Sequence, residues 1–285
     1  MSRVVAITPA YDEEKLLPGL IASMATQTRL PDRWIVIDDG SIDATGQILD
    51  TAASRHPWIK AHHLPRNHAR AAGGESVTKQ FLPPERCHNW DYILRLDADL
   101  TFGEDFIELL LAEFHRDPML GVAGPILLEP NGADWREINV PMFHVRGAAK
   151  MFTAKCFLAI GGQDGGLGFD TIDELHAMML GYHSRHFRHI RAFHHRPQGT
   201  AGQLWRARLA AGRAAYRSGY STLFMLVRAA RHLPSRPCLL GSAMMLAGYF
   251  EGYLKRWQRP GPPELIRFTR RQQLRRLLML DSVWR

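Results

Sequence analysis

The sequence predicts an α/β protein, a mostly parallel, doubly wound sheet flanked by helices and followed by a basic helical extension. Three observations predict it. Short apolar, β-rich runs alternate with stretches of helical periodicity through the first half of the chain. Three of those runs are followed by acidic residues, on the edge where such sheets bind ligands. The charge is also split along the chain. Residues 1–181 carry 16 Lys and Arg against 25 Asp and Glu, and residues 182–285 carry 20 against 3, so a body of −9 precedes a region of +17.

The elements follow in order. Residues 4–8 (VVAIT) form a first strand, closed by Pro9. Residues 13–26 place Leu16, Leu17, Leu20, Ile21 and Met24 at helical spacing. Residues 34–37 (WIVI) form a second strand ending at Asp38-Asp39-Gly40-Ser41, and Ser41 or Asp43 caps a helix running to about residue 54. A third strand is expected at 59–64, a helix at 72–81, and a fourth strand at 92–96 with a helix after it at 106–115. Residues 122–129 (VAGPILLE) form a further strand, weakened by Pro125.

Bulk composition narrows the class. With 285 residues, 46% of them hydrophobic, the chain can build one substantial core and an appendage. Cys87, Cys156 and Cys238 are few, odd in number and far apart, which gives no disulfide framework and no metal-type spacing. A reducing compartment fits, and MSRVVAITPAY runs straight into a strand, without the layout of a secretory leader.

The chemistry sits at the strand ends. Strand one is followed by Tyr11-Asp12-Glu13-Glu14, strand two by Asp38-Asp39, and strand four by Asp97 and Asp99. Residues two apart on a strand point to one face, so Asp97 and Asp99 can converge on one object. Paired carboxylates repel unless a proton or cation lies between them, and oxygen ligands of this kind suit Mg²⁺ or Mn²⁺ that also binds a substrate phosphate. Alone, a D-x-D pair reads as a turn and a helix cap; two further acidic strand ends in step with it favour the ligand reading.

PAYDEE (residues 9–14), IVIDDGSIDAT (35–45), LPRN (64–67) and LRLDADL (94–100) together resemble, in order and spacing, the family 2 glycosyltransferases, over roughly residues 3–195. The resemblance implies inverting enzymes with the Rossmann-like A-type glycosyltransferase fold. It implies that Asp12 and Asp39 hold the base and ribose of a nucleotide and that Asp97 and Asp99 hold a divalent cation, Mn²⁺ or Mg²⁺, with the sugar-nucleotide. The implied nucleotide-sugar set is Pro9, Tyr11, Asp12, Glu13, Asp39, Arg66, Arg70, Asp97 and Arg196. One departure is the stretch after LPRN, where His68-Ala69-Arg70-Ala71-Ala72-Gly73-Gly74 offers Arg70 in place of a Gly-rich, Lys-bearing segment.

The same resemblance makes Asp170, counted back from Gly181-Tyr182, the general base that deprotonates the acceptor hydroxyl, with Asp173 as second choice. Asp170, Asp173 and Glu174 can share one helical face; in isolation they would be a helix cap and dipole-favoured acids behind it. Related enzymes place a histidine after the base helix on the metal or diphosphate, a role open here to His194 or His195, with Arg196 on the diphosphate.

The expected organisation is a catalytic domain over 1–200, with a nucleotide-sugar half at 1–100 and an acceptor half at 101–200, and a basic helical extension over 201–285. In that extension residues 238–254 are mostly apolar but hold Glu251 and are short for a membrane span. They suit a helix lying on a membrane or packed on the body, and residues 265–280 read as a basic amphipathic helix. The expected partners are a nucleotide diphosphate-sugar donor, a carbohydrate or lipid-linked acceptor, an anionic membrane surface met through 201–285, and a second copy of the chain. The expected location is cytoplasmic, peripheral on the inner face of the cell membrane. A nucleotidyltransferase would show a Gly-rich basic loop after strand one, where this chain is acidic. A nucleic-acid binder would need a recognition module, and none is present. A non-catalytic sugar-nucleotide or anionic-surface binding protein is the third reading.

Overall fold

The computed structural model describes residues 2–66, 79–82, 87–162, 166–196, 204–233 and 239–284. Its centre is a nine-stranded sheet in the order β3-β2-β1-β4-β8-β6-β9-β5, with β7 (Asp134–Glu137) paired to β6. β1 (Val4–Ala10), β2 (Arg33–Asp38), β3 (Ile59–His63) and β4 (Tyr92–Leu96) are mutually parallel, so their carboxyl ends share one edge. The second half is mixed: β8 (Ala149–Thr153) runs antiparallel to β4 and to β6 (Leu120–Asn131), β5 (Leu100–Phe102) antiparallel to β9 (His183–His194), and β6 parallel to β9. The fold class is therefore the expected α/β one, with antiparallel strands inserted where the sequence showed no helix between them.

Period-two alternation explains how the parallel half is buried on both sides. Val4, Ala6, Trp34, Val36, Leu94 and Leu96 face one core, shared with α1 (Leu17–Ala25), α2 (Thr45–Arg55) and α3 (Phe106–Arg116). Val5, Ile7, Ile35, Ile37 and Ile93 face the other, shared with α4 (Ala154–Ala159) through Cys156 and Phe157.

Several boundaries differ from the sequence expectation. The first helix starts at Leu17, not residue 13, because Asp12 takes a left-handed conformation (φ 50°) and the Glu13 carbonyl closes a turn on the Leu16 and Leu17 N–H groups. α2 is capped by neither Ser41 nor Asp43 in the usual way. Its cap position is Ala44, while Ser41 Oγ accepts the Asp12 N–H and Asp43 accepts those of Glu14 and Thr45. These bonds tie the two loops that follow β1 and β2 into one unit. Pro125 does not shorten its strand: β6 runs 12 residues and absorbs the proline as an irregularity against β9 at Pro125/Ile126. The helix expected at 72–81 lies mostly outside the described residues.

The C-terminal region is helical, with α6 (Leu204–Arg217), α7 (Thr222–Arg231), α8 (Leu240–Leu254) and α9 (Pro263–Leu277). α6 and α8 touch backbone to backbone: a Cβ on Gly212 would collide with the Met245 carbonyl, and one on Gly248 with the Leu209 carbonyl. Around this contact Tyr216, Tyr220, Met225, Met245 and Tyr249 form a separate core. α9 carries Leu265 onto Ile172 and Leu175 of α5 (Phe169–Met179), so the extension rests on the helix that begins with Asp170.

Candidate functional site

The edge shared by β1, β2 and β4 collects most of the residues singled out in the sequence. Pro9 lies in β1 and Tyr11 and Asp12 just beyond it, all partly exposed. The Asp12 carboxylate accepts the Ile42 N–H at 2.9 Å, and the Asp39 N–H donates to the Ala10 carbonyl at 2.9 Å. Asp12 therefore holds the loop after β2 in place, and Asp39 follows β2 beside it. Gly40 has φ 77°, and a Cβ there would collide with the Arg66 backbone, so the exposed Arg66 is brought against this loop by a glycine. Arg70 lies outside the described residues.

The strongest cluster is Asp97, Asp99 and His194, whose ligand-type atoms all lie within 4.8 Å of one another. β4 ends immediately before Asp97, and the pairing of Leu100 with His194 between β5 and β9 delivers the imidazole opposite Asp99. His194 Nε2 stands 3.3 Å from Asp99 Oδ1 and its Nδ1 3.5 Å from Glu129. Asp97 keeps a side chain 34% exposed and meets the Arg95 guanidinium at 3.0 Å. Asp99 is buried, and its Oδ1 lacks a hydrogen bond of good geometry.

Electrostatics agree with this picture. Crowding desolvates Asp97 and raises its pKa, against the Arg95 charge and with the repulsion of Asp99. Burial opposes protonation of His194, but Asp99, Asp97 and Glu129 outweigh it and raise the pKa overall. Two acids and an imidazole, with a buried oxygen lacking a good partner, are the donor set that suits a small divalent cation.

His195 does not join the cluster. Its Nε2 bonds Thr101 Oγ1 at 2.8 Å and its ring packs on Trp135, because successive strand residues face opposite sides. Arg196 reaches the Glu13 carboxylate at 2.6 Å and stands 3.9 Å from Asp99 Oδ2. Glu13 is buried, and desolvation raises its pKa, partly countered by Arg196. Two members of the expected nucleotide-sugar set are thus paired with each other beside the acidic cluster.

Across the β4–β8 pairing lies Asp170, in the first turn of α5. The Gly147 N–H donates to its Oδ2 at 3.0 Å, whereas Oδ1 has no hydrogen bond. Gly147 allows that approach, since a Cβ there would overlap the carboxylate. The next peptide ties the two carboxylate sites together, because the Asp97 N–H donates to the Ala148 carbonyl at 2.8 Å. Asp173 is turned into the protein and is only 3% exposed, and Glu174 is fully buried. The shared helical face expected for the three acids thus points inward at the second and third.

Four residues near these clusters carried no role in the sequence reading. Lys150 sits in β8, fully buried, 3.0 Å from Glu174 Oε1 and 3.7 Å from Asp170 Oδ1. Glu174 also accepts the Val145 N–H at 2.7 Å and bonds His144 at 2.8 Å. Arg95, buried in an apolar strand, donates to the Gly147 carbonyl. Glu129 backs His194. A charge interrupting an apolar strand, as in YILRL or AAKMF, was the available signal for Arg95 and Lys150.

Known proteins place this arrangement. Residues 5–163 match the family described as glycosyl transferase family 2. Among curated relatives, an undecaprenyl-phosphate 4-deoxy-4-formamido-L-arabinose transferase of Pseudomonas fluorescens is 35% identical over 115 residues, covering 39% of this chain and 32% of that protein. An N-acetylglucosaminyl-diphospho-decaprenol L-rhamnosyltransferase of Mycobacterium tuberculosis is 28% identical over 137 residues, 46% of this chain and 42% of that one. The chain thus spans less than half the length of the curated relatives it matches. Among solved structures, a Pyrobaculum calidifontis mannosyltransferase in complex with GDP-Man and Mn²⁺ aligns with TM-score 0.58 at 15% identity, over 99% of this chain and 76% of that one. Residues 1–349 of S. aureus TarS in complex with UDP-GlcNAc align with TM-score 0.55 at 15% identity, over 89% and 73%. The fold is that of A-type glycosyltransferases. With the family match covering more than half of its length, the chain belongs to glycosyl transferase family 2.

Proposed function

We propose that the protein transfers a glycosyl group, with inversion, from a nucleoside diphosphate-sugar to a hydroxyl of a lipid-linked acceptor. One observation carries this reading: the Asp97, Asp99 and His194 cluster stands across a single strand pairing from Asp170, whose side chain is partly exposed. The names of the relatives support the donor and acceptor classes, since both curated relatives are transferases named for prenyl-linked substrates and both solved neighbours hold sugar nucleotides.

The donor nucleoside would lie along the β1 and β2 ends, with Pro9, Tyr11, Asp12, Asp39 and Arg66 around it. Asp97, Asp99 and His194 would hold a divalent cation, Mn²⁺ or Mg²⁺, and the Mn²⁺ in the mannosyltransferase complex supports that choice. When bound, such a cation neutralises negative charge on the departing diphosphate. Arg196 is placed to turn from Glu13 toward the same diphosphate. The partly exposed Asp170 carboxylate takes the acceptor hydroxyl proton as the acceptor oxygen bonds the anomeric carbon. The bond from that carbon to the diphosphate oxygen breaks, and its electron pair leaves with the nucleotide. Attack opposite the leaving group inverts the anomeric centre. Asp173, buried behind Asp170, supports the helix and does not reach the acceptor.

The acceptor class agrees with the surface of the extension. α8 packs on α6 by one face, while Leu240, Ala243, Ala247, Phe250 and Leu254 line the other and are all exposed, with Lys255 and Arg256 at their end. No helix among the described residues is long and apolar enough to cross a membrane. This face would lie on an anionic membrane surface.

Thermal shift against nucleoside diphosphates and their sugars, with Mn²⁺ or Mg²⁺ and with chelator, tests the donor site. Stabilisation by one nucleotide that disappears with chelator is the expected result. Asp170→Asn should keep that stabilisation and lose transfer by about 10²–10⁴-fold. No response to any nucleotide, or transfer by Asp170→Asn at the parental rate, overturns the reading.

A further inference from the structure

We propose that Lys150 is a positioning residue for Asp170, a buried cation that fixes the Asp170 carboxylate through contacts with both its main chain and its side chain. The significance of this for catalysis rests on Asp170 being the base; the contact does not.

The argument begins with a lysine in an unusual place. Lys150 is fully buried in β8, between Ala149 and Met151, where an apolar residue would be expected. A buried ammonium is stable only when paired and hydrogen-bonded. Lys150 Nζ meets Glu174 Oε1 at 3.0 Å, donates to the Asp170 carbonyl at 3.1 Å, and faces Asp170 Oδ1 at 3.7 Å. One ammonium thus touches the main chain and the side chain of the same residue. Glu174 is in turn fixed by Val145 and His144. The lysine is consequently locked, and it can lock Asp170.

The balance of charge around Asp170 explains why a cation is needed there. Arg95 and Lys150 approach from β4 and β8. Asp97 lies on the β4 side, Asp173 and Glu174 on its own helix, and His144 on the loop before β8. Burial alone would oppose the charge on Lys150, but Glu174, Asp170 and Asp173 together raise its pKa, so it stays charged. Asp170 thus sits near three other carboxylates, with the Lys150 ammonium 3.7 Å from its buried Oδ1.

The test needs no substrate. ¹³C-carboxyl aspartate NMR of the full chain, with the Asp170 resonance assigned through Asp170→Asn, reads the titration midpoint directly. Lys150→Met should move that midpoint to higher pH, because an anion loses its neighbouring cation. Glu174→Gln, which keeps the shape and an acceptor for the Val145 N–H, should move it to lower pH. Lys150→Arg should restore the parental midpoint. Should Lys150→Met fail to fold, Lys150→Gln, which keeps a hydrogen-bond donor without the charge, is read in its place and should move the midpoint the same way. Shifts of opposite sign support the proposal; an unmoved midpoint in the folded variants, or shifts of the same sign, overturns it. In transfer assays Lys150→Met should lower kcat by about 10–100-fold with a donor KM near the parental value. Normal transfer by Asp170→Asn would remove the base assignment while leaving the NMR result standing.

Discussion

At the residue scale, position along a strand and neighbours across strands divide the work. Asp97, Asp99 and Asp170 could be singled out from sequence because spacing and motif order concern residues close together in the chain. Lys150 and Glu129 could not be assigned a role, because each acts through a partner from a distant segment, helix α5 for Lys150 and strand β9 for Glu129. His194 and His195 were interchangeable on paper, and only the pairing of Leu100 with His194 separates them. His63 gives a test away from the active centre. Its Nδ1 faces Asp38 at 3.1 Å and its Nε2 faces Asp50 at 3.0 Å, so only the doubly protonated ring satisfies both carboxylates. Those bonds raise its pKa above 6.5, so its stabilisation is full below 6.5 and is lost as pH rises through the raised value. The ring is 43% exposed, which limits the effect to about 1 kcal/mol or less. His63→Gln should therefore destabilise the protein at pH 5.5 and be nearly neutral at pH 9, as read by urea unfolding at the two pH values.

At the element scale, the helices are held by what their small residues allow. In an ordinary exposed helix Gly→Ala is favourable by about 1 kcal/mol. Gly248 reverses that sign. Its missing Cβ is the space occupied by the Leu209 carbonyl, and a backbone atom cannot move aside as a side chain can. Gly248→Ala should cost about 1–3 kcal/mol, net of propensity, by denaturant unfolding. The same substitution at Gly132, where nothing lies within 4 Å of a new Cβ but φ is 68°, should cost less and through backbone strain alone. The parallel strands and their helices were readable because each carries its own periodicity. The antiparallel insertion of β8 between β4 and β6 was not, since a five-residue strand shows neither its direction nor its neighbour.

At the scale of the whole molecule, the basic region takes in the last strand of the sheet, β9 with Arg185, Arg188 and Arg191, as well as the C-terminal helices. The sequence left residues 238–254 either on a membrane or on the body. The structure gives α8 one face packed on α6 and another face open. Leu240→Ser with Phe250→Ser and Leu254→Ser should abolish flotation with anionic liposomes while leaving nucleotide-dependent thermal stabilisation unchanged. The parent should lose flotation as salt rises. Binding that ignores salt and these substitutions would exclude this face as the contact. The acidic cluster also says something about how the chain reaches its working form. Asp99 and His194 are 95 positions apart, and the imidazole arrives only when the last strand has closed against β5. The β1 and β2 ends, where we propose the nucleoside lies, are built by neighbouring strands and their loops; the proposed cation seat needs that long-range closure. An ion bound there would stabilise only chains whose sheet is complete, and so would act as a clasp on the finished molecule, distinguishing it from every partly assembled one.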